Sequence, residues 1–134
     1  LKALRYPEIH IYDRDVPDYA EQVEKVNNRR DGKSWAAQTS KHEIESYLHP
    51  DAIKAAFGFE VEVTDHPGAD GKALPKLFGE AFALARGHGQ PLKDNTAKAK
   101  LAESAFPKMT AAMIRERDPD GEVEGWFKRI AAML

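Results

Sequence analysis

The chain is 134 residues long, 42% hydrophobic and 31% charged, with a formal net charge of −2, a size that suits one domain with its own core. Nothing in that balance provides an overall basic field for holding nucleic acid, and no apolar run approaches the roughly 20 residues that span a bilayer. The absence of cysteine excludes disulfides and thiolate metal sites, a composition that fits a reducing cytoplasm.

The first element is the run Ile9-His10-Ile11-Tyr12, which favours β-structure and ends in Asp13-Arg14-Asp15. It reads as a strand whose last residues leave the sheet, with Asp13 and Asp15 on one side of the chain by alternation. Two carboxylates so placed repel unless they share water or a cation. Hard oxygen donors in groups of three or four suit Mg²⁺ or Mn²⁺. Val16-Pro17-Asp18 then starts a helix to about Arg29, with Tyr19, Val23 and Val26 on one apolar stripe. Asp31-Gly32 turns the chain into a second strand over 34–38, which leads to His42-Glu43-Ile44-Glu45-Ser46-Tyr47-Leu48. The β-α-β order predicts a parallel sheet, and ligands of such sheets gather beyond the carboxyl ends of the strands, where Asp13 and Asp15 stand.

His49-Pro50-Asp51 predicts another helix start with Asp51 as its cap, an inward face of Ile53, Ala56 and Phe57, and a stop at Gly58. Phe59, Val61 and Val63 alternate with Glu60 and Glu62, the pattern of a half-buried strand ending at Thr64. A turn-rich loop over 65–71 follows, and the rest is helical in pattern. Its stripes are Leu74, Leu77, Phe78, Ala81, Phe82 and Ala85, then Leu101, Ala105, Met109, Ala112 and Met113 interrupted near Pro107, then Val123, Trp126, Phe127, Ile130 and Leu134. The expectation is an α/β unit with a small, mostly parallel sheet: residues 1–64 carry the acidic site and residues 65–134 form a helical C-terminal part of the same unit.

If Asp13 and Asp15 converge with Glu43 or Glu45, the group forms a divalent-metal site of the kind used in phosphoryl transfer, and no nucleophilic side chain is then required. The plainer alternative makes 13–15 a strand-to-helix turn and the two glutamates solvent-facing residues of an amphipathic helix. Other signals are weaker. His42-Glu43-Ile44-Glu45-Ser46 begins like a zincin helix but has Ser46 where the second histidine must stand. Asp118-Pro119-Asp120-Gly121 lacks the further ligands of a calcium loop and reads as a helix-capping turn. His42 lies beside the acidic segment as a proton carrier, a phosphate contact or a plain surface residue. Arg14 balances the aspartates or meets a phosphate. Trp35 and Trp126 read as packing residues. Lys72, Lys76, Arg86, Lys93, Lys98 and Lys100 make the middle of the chain locally basic, which by itself describes a solvated helix surface.

The assembly of apolar strand, Asp-Arg-Asp, crossover helix and Glu43-Ile44-Glu45-Ser46-Tyr47-Leu48-His49-Pro50 resembles the Toprim domain of bacterial ATP-driven nucleases of the OLD (overcoming lysogenization defect) type, including relatives in phage defence. Met109-Thr110, the 117–123 turn and Gly125-Trp126-Phe127 are similar to the closing helices of such proteins. The resemblance implies that Asp13 and Asp15 are ligands of Mg²⁺ or Mn²⁺, that Glu45 or Glu43 completes the set, and that the domain cuts DNA. It further implies an ATPase part outside this chain; a cytoplasmic address, in keeping with the absence of cysteine, and a possible homo-oligomer are further expectations. One departure stands out: Toprim domains begin with a strand followed by a glutamate, nothing upstream of Asp13 provides it, and Glu8 is too close to the aspartates. With the opening Leu1-Lys2-Ala3-Leu4-Arg5 in place of an initiator Met, this reads as a piece of a longer protein. The alternative function is a catalytically incomplete Toprim-like module for interaction or DNA positioning. A haloacid-dehalogenase-like phosphatase matches the opening strand only, because no later strand ends in Ser or Thr and no second acidic pair follows.

Overall fold

A computed structural model describes residues 6–134, so Leu1–Arg5, with the opening residues discussed above, lie outside the described residues. The fold is α/β, with two parallel strands in one small sheet and six α-helices among the described residues. The chain divides into two compact units: the described residues up to Glu43 together with Asp120–Leu134, and Ile44–Pro119. The sequence reading had set its own division between Thr64 and Asp65.

In the first unit, strand β1 (Glu8–Tyr12) pairs in parallel with β2 (Ser34–Gln38), in a register that sets Ile9 opposite Trp35 and Tyr12 opposite Gln38. Helix α1 (Tyr19–Asn27) is the crossover, two residues shorter at each end than the sequence predicts. Period-two alternation sends Glu8, His10 and Tyr12 to one face of the sheet and Ile9 and Ile11 to the other. The polar face forms a ladder: His10 Nε2 and Arg29 each reach Glu8 Oε2, at 3.0 and 2.7 Å, and the Tyr12 ring lies 5.2 Å from that of Tyr19 on α1. The hydrogen bonds from His10 and Arg29 hold the Glu8 carboxyl below its ordinary range. Its contribution to stability is therefore present above the ordinary carboxylate pKa and lost as pH falls through the lowered one. On the apolar face lies the last helix, α6 (Glu122–Met133), whose Arg129 guanidinium stacks 4.5 Å over the Trp35 ring. Of the predicted α6 stripe Trp126 is buried, whereas Phe127, Ile130 and Leu134 are exposed.

The second unit is built on phenylalanine. Helix α2 (Pro50–Phe57) and helix α3 (Leu74–Arg86) bring Phe57 and Phe82 against the fully buried Phe78, with centroids 4.8 and 5.9 Å away, and Phe59 stacks on Phe78 at 5.7 Å. Leu48, Ile53, Val61, Val63, Leu74 and Leu101 complete this core. The expected strand over 59–64 is corrected: Val61 and Val63 are buried and Glu60 and Glu62 exposed as alternation requires, but among the described residues the segment pairs with no strand. Alternation reports which side chains face a core. It cannot report whether a neighbour exists to accept the ladder, and here the inward residues meet helices instead.

The cap of α2 is also corrected from Asp51 to His49. Pro50 occupies the first helical position and forces the residue before it into an extended conformation (φ −88°, ψ 137°), so the His49 ring is placed to accept from the Asp51 N–H at 3.0 Å. Gly58 stops the helix as expected, in the left-handed region at φ 82°. Gly79 on α3 is required by close approach, since a Cβ there would stand 2.8 Å from the Leu92 carbonyl. Helix α4 (Asp94–Lys100) opens into a π-turn (Leu101–Ala105) and a 3₁₀ turn (Phe106–Lys108). Pro107 explains the change, because it has no N–H to continue the ladder and the Phe106 N–H reaches back to Leu101 instead. Helix α5 (Ala111–Arg117) is capped by the Thr110 hydroxyl, which accepts from the Met113 N–H.

Arg117 at the end of α5 ties this unit together. Its Nε donates to the Leu48 carbonyl at 3.1 Å, and Nη2 donates to the Ser46 carbonyl at 2.7 Å and to Asp65 Oδ1 at 3.0 Å. Both carbonyls belong to the buried segment over 45–49. Arg117→Ala leaves them without that donor and should lower the stability of the chain by roughly 3 kcal/mol in urea unfolding. Arg117→Lys should restore less than half, since one ammonium cannot reproduce the planar fork. A loss under about 1 kcal/mol for the alanine variant would show that the fork carries no weight.

Candidate functional site

The site lies where the two strands of the first unit release the chain on the same side. A parallel pair delivers both carboxyl ends to one edge of the sheet, so the residues after Tyr12 and those after Gln38 leave as neighbours. The pairing continues past the strands: the Thr39 N–H donates to the Tyr12 carbonyl at 2.9 Å, and the Asp15 N–H donates to the His42 carbonyl at 2.9 Å. Between these two points sits Thr39, fully buried. Its hydroxyl accepts from the Arg14 N–H at 3.1 Å and donates to the Lys41 carbonyl at 2.8 Å, and its own carbonyl accepts Arg14 Nε at 2.6 Å. The segment is further anchored to the start of α6, where the Ser40 N–H and hydroxyl both donate to the Glu122 carboxylate, at 3.1 and 2.8 Å.

The side chains held by this frame are acidic. Asp13 and Glu43 each present a carboxylate oxygen within 4.8 Å of the other, and Asp15, His42 and Glu43 each present a ligand atom within 4.8 Å of the other two. Glu43 is common to both groupings and is only 2% exposed, while Asp15 remains open to solvent. His42 Nε2 lies 3.8 Å from Asp15 Oδ2. Two ionised carboxylates at such a spacing repel by about 3 kcal/mol at an effective dielectric near 20, an energy that a nearby positive charge offsets. Lys41, buried in the same segment, is one such charge within the chain.

The sequence-predicted residues are therefore sorted as follows. Asp13, Asp15 and Glu43 are gathered within the first unit. Glu45 belongs to the second unit, on the 3₁₀ turn Ile44–Tyr47, and is 7% exposed. Neither glutamate is a solvent-facing residue of an amphipathic helix, and the segment that opens like a zincin helix forms bends and a 3₁₀ turn. Arg14 donates from Nε to the Thr39 carbonyl at 2.6 Å, a structural partner that the sequence did not indicate. His42 lies with Asp15 and Glu43 as a third potential donor, a role not among the alternatives set out for it. Thr39 and Lys41 carry no sequence signal: a threonine after a short strand and a lysine in a polar stretch are ordinary, and only folding shows that both are buried. Of the locally basic residues in the second unit, Lys72 pairs with Glu80, Arg86 donates to the Phe57 carbonyl, and Lys100 lies over the Phe82 ring.

Asp15, Glu43 and the His42 imidazole form one donor set with a single borderline nitrogen, and Asp13 lies within reach of Glu43; such donors suit Mn²⁺ and tolerate Mg²⁺. The residues present fit a divalent cation. Comparison with protein-family models, with curated protein sequences and with solved structures found no match to this chain.

If the Thr39 hydroxyl is what fixes the spacing of the two loops, Thr39→Val should cost roughly 2 kcal/mol of stability, and Thr39→Ser should recover most of it. The same valine variant should accelerate hydrogen exchange at the Arg14 and Asp15 amides. Unchanged exchange at both amides would place the restraint elsewhere.

Proposed function

We propose that the chain is a metal-dependent nuclease module that hydrolyses DNA phosphodiesters. The observation that carries this reading is that the buried Glu43 lies within ligand distance of Asp13 and also of Asp15 and His42, at the carboxyl ends of two parallel strands. The sequence left Glu43 and Glu45 open as the completing ligand, and the proposal gives that role to Glu43 with Glu45 as the alternative. When bound, a divalent cation supplies Lewis acidity toward a phosphate oxygen and makes a water more acidic. The chain's own part is to hold that charge in place: Asp13 and Asp15 from the loop after β1, Glu43 and His42 from the loop after β2. The open side of Asp15 leaves room for a phosphate to approach.

The resemblance to the Toprim domain of OLD-type nucleases is in keeping with the same chemistry, and on that reading the module would work within a larger ATP-binding, defence-type protein of the cytoplasm whose ATPase part lies outside this chain. No helix among the described residues is long and apolar enough to cross a membrane.

Calorimetric titration with Mn²⁺ tests the reading. The parent chain should bind, and the Asp13→Asn/Asp15→Asn double variant should lose at least about tenfold in affinity, equivalent to 1.4 kcal/mol. Incubation with supercoiled plasmid and Mn²⁺ should yield nicked circles with the parent and not with the variant. Equal Mn²⁺ affinity in both proteins would refute the site, and binding without nicking would favour a metal-holding module that positions DNA.

A further inference from the structure

The two edges of the small sheet are finished in opposite ways. On β2 the outward backbone groups of Ala36 are both taken by Asn27 at the end of α1: Nδ2 donates to the Ala36 carbonyl at 3.0 Å, and Oδ1 accepts the Ala36 N–H at 2.9 Å. The Ser34 N–H, on the same edge, donates to Asp31 Oδ1 at 2.8 Å. Side chains thus stand where a third strand would pair, one of the ways in which a sheet edge is blocked. On β1, the Glu8 N–H donates to the Lys33 carbonyl and the Tyr12 carbonyl accepts from the Thr39 N–H. With the parallel register, this turns the backbone groups of Glu8, His10 and Tyr12 toward β2 and those of Ile9 and Ile11 outward. Among the described residues no hydrogen bond meets those outward groups.

A second feature lies beside this edge. Phe127, Ile130 and Leu134, at i, i+3 and i+7 along α6 and its end, form an apolar stripe that is 59, 39 and 96% exposed. Ile130, Met133 and Leu134 line, with Pro7 and Ile9, an open apolar cavity of about 100 Å³. The free strand edge and the apolar stripe therefore meet at Ile9.

We propose that this surface seats a second copy of the chain, with β1 pairing antiparallel to β1 of the partner subunit about a two-fold axis at His10. The outward residues Ile9 and Ile11 are symmetric about His10, so each would face its counterpart (Ile9 against Ile11 of the partner subunit) with every outward N–H and carbonyl paired. Antiparallel pairing keeps opposed residues on the same face. The apolar side of one sheet then continues into that of the other, and the two α6 stripes are brought to a common side. A second copy supplies both of the features required, a strand with matching outward groups and an apolar helix surface, in the self-complementary manner of a two-fold interface. It would also turn a sheet of two five-residue strands, marginal on its own, into one of four. This inference is independent of the metal reading.

Sedimentation velocity of the full 134-residue chain, at concentrations up to about 100 µM, should show a dimer, and Ile130→Glu should convert it to a monomer with an unchanged circular dichroism spectrum. Ile130 is exposed on a helix, so the charge should not disturb folding. Amide exchange on the parent is the second readout: the Ile9 and Ile11 N–H groups should be protected in the dimer and exchange rapidly on dilution to monomer. A parent chain that stays monomeric throughout that range would overturn the proposal, as would a dimer indifferent to Ile130→Glu. A dimer whose Ile9 and Ile11 amides exchange freely would overturn it equally.

Discussion

One buried hydroxyl sets the distance between the two loops on which the acidic residues stand. The loop after β1 carries Asp13 and Asp15, the loop after β2 carries His42 and Glu43, and Thr39 touches both through Arg14 and Lys41. Like charges on neighbouring loops would drive those loops apart. Here the parallel ladder is extended beyond the strands by backbone bonds at Thr39 and Asp15, and the hydroxyl closes the gap between them. Repulsion among the carboxylates is thus opposed by hydrogen bonds that tie the two loops together.

The rest of the first unit serves this frame. Asn27 closes the outer edge of β2 and fixes α1 against it, Glu122 on α6 holds the Ser40 corner, and the Glu8 ladder orders the polar face of β1. The second unit is stabilised by other means, a phenylalanine cluster around Phe78 and the Arg117 fork on buried carbonyls. Each unit therefore has its own source of order.

Much of the architecture was legible in the residues. The strand over 34–38 was placed at its observed bounds, and the glycine stop of α2 and the crossover helix follow from local chemistry that needs no partner. Failures came where a partner decides. Val61 and Val63 alternate like a strand and are buried like one, but helices receive them. Asp51 is a good cap by type, yet Pro50 gives the capping role to His49. The apolar residues of α6 read as one stripe, but the stripe alone does not say what it faces, and Phe127, Ile130 and Leu134 are exposed. For the site, Asp13 and Asp15 were visible because carboxylates at the end of a β-run have few local reasons to be there. Thr39 and Lys41 were invisible, because their importance lies in burial, which no spacing encodes.

The central claim is that these loops form one cation site. Crystals of the chain soaked in Mn²⁺ and measured with anomalous scattering address it directly. The account predicts a single strong peak coordinated by Asp13, Asp15 and Glu43, with His42 Nε2 close enough to serve as a nitrogen ligand at about 2.2 Å. A peak elsewhere on the surface with none among these four side chains, at Mn²⁺ concentrations that saturate the crystal, would contradict it.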